Sequence, residues 1–67
     1  MLAYRLLTGD DSSAFCHKVS KALYDGWSLY GNPSLAIDPK TGESRTAQAI
    51  VKEVRVDYST DLKLGEL

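Results

Sequence analysis

The sequence predicts an α+β fold of order β-α-β-β: a three-stranded, mainly antiparallel sheet in the order 1-3-2, one helix packed on one face, and a C-terminal tail. Three observations carry this. Apolar residues from Phe15 to Leu23 recur with helical spacing, those from Trp27 to Ile37 alternate with strand spacing, and Gly26 stands at the joint between them. At 67 residues the chain is expected to be one small domain, 1–54, followed by a tail, 55–67.

The first strand is read at residues 2–8, where a short apolar run stops at Gly9-Asp10-Asp11. Leu2, Tyr4 and Leu6 would share one face and Ala3, Arg5 and Leu7 the other. Asp10, Asp11, Ser12 and Ser13 then form a helix-start signal, since any of these side chains can accept from an orphan backbone N–H. Phe15, Val19, Ala22 and Leu23 fall at i, i+4, i+7 and i+8, one apolar stripe of a helix over about 11–25. Gly26 is placed to end it in the left-handed conformation.

The second strand starts on Trp27 and is interrupted at Gly31-Asn32-Pro33. Proline cannot donate to a ladder, so this strand lies at an edge or carries a bulge. Asp38-Pro39-Lys40-Thr41-Gly42-Glu43 has the composition of a turn. The last strand, 45–54, is apolar through Ala47–Val51 except for Gln48, which suits a central position. A right-handed crossover then puts strand three between strands one and two. Ala47, Ala49 and Val51 are expected to face the helix, with Trp27, Leu29 and Leu35 completing the core. Tyr4, Tyr30, Gln48 and Ile50 would stand on the opposite face, which only the tail could cover. In the tail, Tyr58, Leu62 and Leu64 are the candidate anchors.

Tyr4-Arg5-Leu6-Leu7-Thr8-Gly9, the helix end Leu23-x-x-Gly26-Trp27-x-Leu29-x-Gly31, and Ala47-Gln48-Ala49-Ile50-Val51-Lys52 together resemble family seventeen thirty-seven of the domains of unknown function. The resemblance spans nearly the whole chain. It implies a small α+β domain of bacterial proteins, found alone or beside other bacterial or phage domains. It implies no activity, so no catalytic residues carry over.

Composition narrows the functional classes. Eight Lys+Arg and nine Asp+Glu give a net charge of −1, with a pI of about 5.6, and no basic stripe of the kind that binds nucleic acid is visible. A patch made by folding would have to draw on Arg5, Lys18, Lys21, Arg45, Lys52 and Arg55. No apolar run approaches the ~20 residues of a membrane span, and the first residues do not read as a signal peptide. Cys16 is the single cysteine, so no intrachain disulfide forms and a reducing, cytoplasmic setting is expected. Small cores gain stability from disulfides, metals or partners; one Cys and one His (Cys16, His17) cannot supply the four ligands of a zinc site, so oligomerisation remains.

Each chemistry-bearing residue also has a plainer role. Asp10, Ser13 and His17 at i, i+3 and i+7 would share a helix face and mimic acid, hydroxyl and base. A solvated face supplies neither oxyanion donors nor a dry cleft, so helix capping explains them better. Cys16 beside His17 reads as a small, partly buried hydrophobe rather than an activated thiol. The 38–43 turn has Lys40 where a calcium loop needs an oxygen ligand. Gln48 faces solvent on the open side or bonds a neighbouring loop such as Gly31-Asn32-Pro33; the alternative is a contact to a ligand or partner chain, with Tyr4 and Tyr30 beside it. Trp27 reads as core.

The expected function is a non-enzymatic structural or protein-interaction module that self-associates, or binds another protein, through a surface of Tyr4, Tyr30, Gln48 and Ile50. The alternative is a small-ligand site on that same face. No catalytic, cofactor or metal residues are assigned.

Overall fold

The computed structural model describes residues 1–67. Strand β1 is Leu2–Gly9, helix α1 Ser13–Tyr24, β2 Ser28–Ile37 and β3 Ser44–Glu53; a 3-10 turn, Leu64–Glu66, lies in the tail. The sheet order is β1-β3-β2, with both neighbouring pairs antiparallel. The apolar middle of β3 therefore does mark the central strand. Its ladder with β1 runs unbroken from Leu2–Glu53 to Gly9–Thr46. Met1 and Val54 extend it by exchanging backbone hydrogen bonds of 2.6 and 2.8 Å.

Helix α1 begins at Ser13 rather than residue 11, so both aspartates precede it. Ser12 holds the cap position with extended backbone, but its side chain makes no capping bond. The carbonyl of Ser12 instead accepts from Phe15 N and Cys16 N at 3.1 and 3.2 Å. The far end closes as the sequence predicts. Gly26, at φ 100°, lets its N–H reach the Leu23 carbonyl (3.2 Å) while Trp27 N reaches that of Ala22 (3.0 Å). This is the paired Schellman arrangement, which satisfies carbonyls the helix end would otherwise strand. It also reverses the chain so that Trp27 drops onto the sheet.

The core is small: Ala3, Leu7, Ala22, Trp27 and Ile50, with Phe15, Val19, Leu64 and Leu67 among the half-buried residues packed against it. All the strand residues of this cluster share one face. Register explains which: Ile50 sits opposite Arg5 and Leu29, and Gln48 opposite Leu7. Side chains directly opposite one another point the same way. The helix face of β3 is therefore Gln48, Ile50 and Lys52. The expectation that Ala47, Ala49 and Val51 meet the helix is corrected; they lie on the other face.

The tail, too, joins the helix side. Leu64 and Leu67 pack against the core, and Lys52 Nζ donates to the Asp25 and Leu67 carbonyls at 2.9 and 2.8 Å. Of the three candidate anchors Leu64 makes this contact, Leu62 is half-buried and Tyr58 is exposed.

Candidate interaction surface

The open face of the sheet is built from alternate residues of all three strands. Tyr4 lies opposite Val51, Leu6 opposite Ala49 and Thr8 opposite Ala47; across β3, Ser28 meets Val51 and Tyr30 meets Ala49. Large side chains on the two outer strands thus flank a valley of small ones on the central strand. Nothing in the chain covers them. Tyr4 is 52% exposed and Tyr30 63%, with Leu2 and Leu6 similarly open. No charged residue stands among these positions. Glu53 and Arg45 mark the two ends, Glu53 against the Met1 amino group and Arg45 near Asp10 and Glu43.

Tyr4 and Tyr30 therefore lie where the sequence places them, on one exposed face. Gln48 and Ile50 do not: Ile50 is fully buried and Gln48 is 5% exposed, both on the helix side. The physical reason lies in β2. Between Tyr30 and Ser34 the strand carries two more residues than β3 does between Ala49 and Ala47, and Gly31 adopts φ 72°. A bulge of this kind leaves carbonyls out of the ladder. Gln48, directly opposite, turns its amide into the gap. Its Nε2 lies 3.4 and 3.3 Å from the Tyr30 and Gly31 carbonyls and 2.9 Å from that of Ala49. The polar side chain is interior because the bulge supplies acceptors there.

Trp27 is buried as expected, with the Arg5 guanidinium 5.5 Å and the Lys52 ammonium 5.8 Å from the ring centroid. At these distances both cations are attracted to the π face. Two more basic residues have partners of their own: Lys18 Nζ donates to the Thr8 carbonyl at 2.7 Å, and Lys21 pairs with Asp25 at 2.8 Å; with Arg5 they line one groove on the helix side. Asp10 lies before the helix, beside Arg45, and His17 is exposed on α1, so Asp10, Ser13 and His17 do not share a helix face. In the 38–43 turn, Asp38 Oδ1 accepts from Lys40 N at 2.9 Å and the Asp38 carbonyl from Gly42 N at 2.8 Å. No three His, Cys, Asp or Glu side chains gather as a metal site, and no helix is long and apolar enough to cross a membrane.

A second uncovered region lies on the helix side. A groove separates α1 from β2, so Leu29 and Leu35 point toward the helix but stay exposed instead of completing the core. Cys16, expected to be partly buried, is exposed for the same reason and lines this groove. Sequence reasoning missed the groove because helical and strand periodicity fix which way side chains point, not how far the two elements stand apart.

The fold and its surfaces define a small α+β module with one finished sheet face and one unfinished. The sequence model of the family described as "Domain of unknown function (DUF1737)" matches residues 1–53 of the 67, and the chain belongs to that family. No curated protein and no solved structure matches the chain.

Proposed function

We propose that this chain is a non-enzymatic structural or protein-interaction module that self-associates through its open sheet face, within the cytoplasm. The observation that carries the reading is the uncharged surface of Leu2, Tyr4, Leu6 and Tyr30 around Ala47, Ala49 and Val51. Size supports it. The accessible surface is 5120 Å², roughly 900 Å² above the ~4,200 Å² expected of a compact monomer of this mass. That excess is close to the ~800 Å² each partner buries in a standard interface. The radius of gyration, 13.5 Å, likewise exceeds the ~11 Å of a compact 67-residue domain.

A second copy is a natural occupant. In a two-fold arrangement each face meets an identical one, and the large side chains of one sheet can enter the alanine-floored valley of the other. Sedimentation equilibrium at micromolar concentration tests this. A dimer is expected, and Tyr30→Arg should dissociate it by placing a charge in the dry centre. A chain that stays monomeric throughout would refute the proposal. Ligand binding on the open face is the weaker reading, because Gln48, the amide expected to orient a ligand there, lies on the other side of the sheet.

A further inference from the structure

The groove between α1 and β2 is separate from the open face and has its own chemistry. Phe15 and Val19 form one wall, Leu29 and Pro33 the other, and Gln48 belongs to the lining. It is open to solvent, with a volume of about 310 Å³, and none of its lining residues is charged. An adjoining groove of about 320 Å³ shares Phe15, Cys16 and Pro33 and continues past Leu35 to Thr46, with Asp11 its one charged lining residue.

The decisive atom is Gln48 Oε1. Three carbonyl oxygens surround the other end of this amide, so the NH₂ group has to face them and the oxygen has to face away. Oε1 accepts no hydrogen bond from the chain. Yet no buried polar side-chain atom is left without a partner, so this oxygen is not fully enclosed, and the groove is the open space that Gln48 helps to line. The residue itself is 95% buried and held from behind. The groove thus presents largely apolar walls, the exposed Ser20 and Cys16 on the helix side, and one fixed acceptor to which the chain donates nothing.

We propose that this groove binds a small, neutral, apolar molecule carrying one N–H or O–H donor, of about the size of indole or a phenol. The ring would lie between Phe15 and Val19 on one side and Leu29 and Pro33 on the other, with its donor on Gln48 Oε1. The volume supports this class: it sits at the lower end of the ~300–1,000 Å³ typical of ligand sites, enough for one or two rings. The absence of charge in the lining argues against an ionised ligand.

The test is a titration of the full ¹⁵N-labelled chain with indole, followed by indene, which has the same ring skeleton without the donor. Indole should give saturable shifts at the Phe15, Val19 and Leu29 amides and at the Gln48 side-chain NH₂. Indene should bind about tenfold more weakly, because it leaves the acceptor unmatched. Cys16→Trp, at an exposed rim position, should fill the groove and remove binding with the unfolding temperature unchanged; Leu29→Asp should do the same by charging the opposite wall. Tyr30→Arg should leave indole binding intact, which keeps this site distinct from self-association. Non-saturable shifts, equal affinity for indene, shifts confined to the open face, or groove shifts that follow protein concentration without indole would each overturn the proposal.

Discussion

The two faces of this sheet are made by the same three strands and carry similar side chains, yet only one of them is closed. On the helix side, Ala3, Leu7 and Ile50 meet Ala22 and Trp27, and the tail adds Leu64 and Leu67. On the other side, Leu2, Tyr4, Leu6 and Tyr30 touch only the sheet itself and stay more than half exposed. The difference lies in what covers them, not in hydrophobicity. One helix and a short tail can close only one face of a three-stranded sheet. An antiparallel sheet commonly keeps its second face wet by making it polar. Here the middle of that face is largely apolar and uncharged, with Glu53 and Arg45 only at its two ends, and the self-association proposed above would cover it.

That contrast gives an ordered set of tests. Ile50→Ala should have the largest effect on stability, about 2–5 kcal/mol, because it opens a cavity at the fully buried centre of the closed face. Such a loss is a large share of the total for a domain this small, and urea denaturation should show it as a fall in midpoint with little change in slope. Gln48→Leu comes next. It strips the Tyr30 and Gly31 carbonyls of their donor and should cost about 1–3 kcal/mol, with faster amide hydrogen exchange confined to the hairpin of β2 and β3. Gly26→Ala should cost about 1 kcal/mol, since a Cβ is disfavoured at its positive φ; thermal unfolding measures it. Tyr4→Arg, on the open face, should change unfolding of the isolated monomer by no more than about 0.5 kcal/mol while weakening self-association at least tenfold. Equal effects of Tyr4→Arg and Ile50→Ala on monomer unfolding would erase the distinction between the faces.

Much of this architecture is legible in the sequence. Element order, the central place of β3, the glycine stop and the break at Gly31-Asn32-Pro33 all follow from local periodicity and from residues with few backbone options. The assignment of faces on β3 is not legible by the same means. Ala47–Val51 is apolar at both parities, so its pattern does not choose a side, and the lone polar Gln48 makes its own set look like the solvated one. Register with β1 decides the matter, and register depends on pairing far along the chain. A signal was nevertheless present: a strand broken by glycine and proline needs a donor from its neighbour, and Gln48 is the side chain opposite. The coverage of Leu29, Leu35 and Cys16 depends on how α1 sits over the sheet, a distance no periodicity encodes. The tail's choice of face depends on Lys52 and the core residues it reaches, far from it in sequence.

The bulge in β2 has a further consequence, which is arithmetical. Two extra residues is an even number, so Leu29 before it and Leu35 after it still point the same way. Removing one residue from Gly31-Asn32-Pro33 would flip the arm beyond it and exchange Leu35 and Ile37 for Ser34 and Ala36 on the helix side. Removing two would restore the phase and leave a plain hairpin. Length variation among natural members of this family is therefore expected to come in pairs at this point, or to be absent.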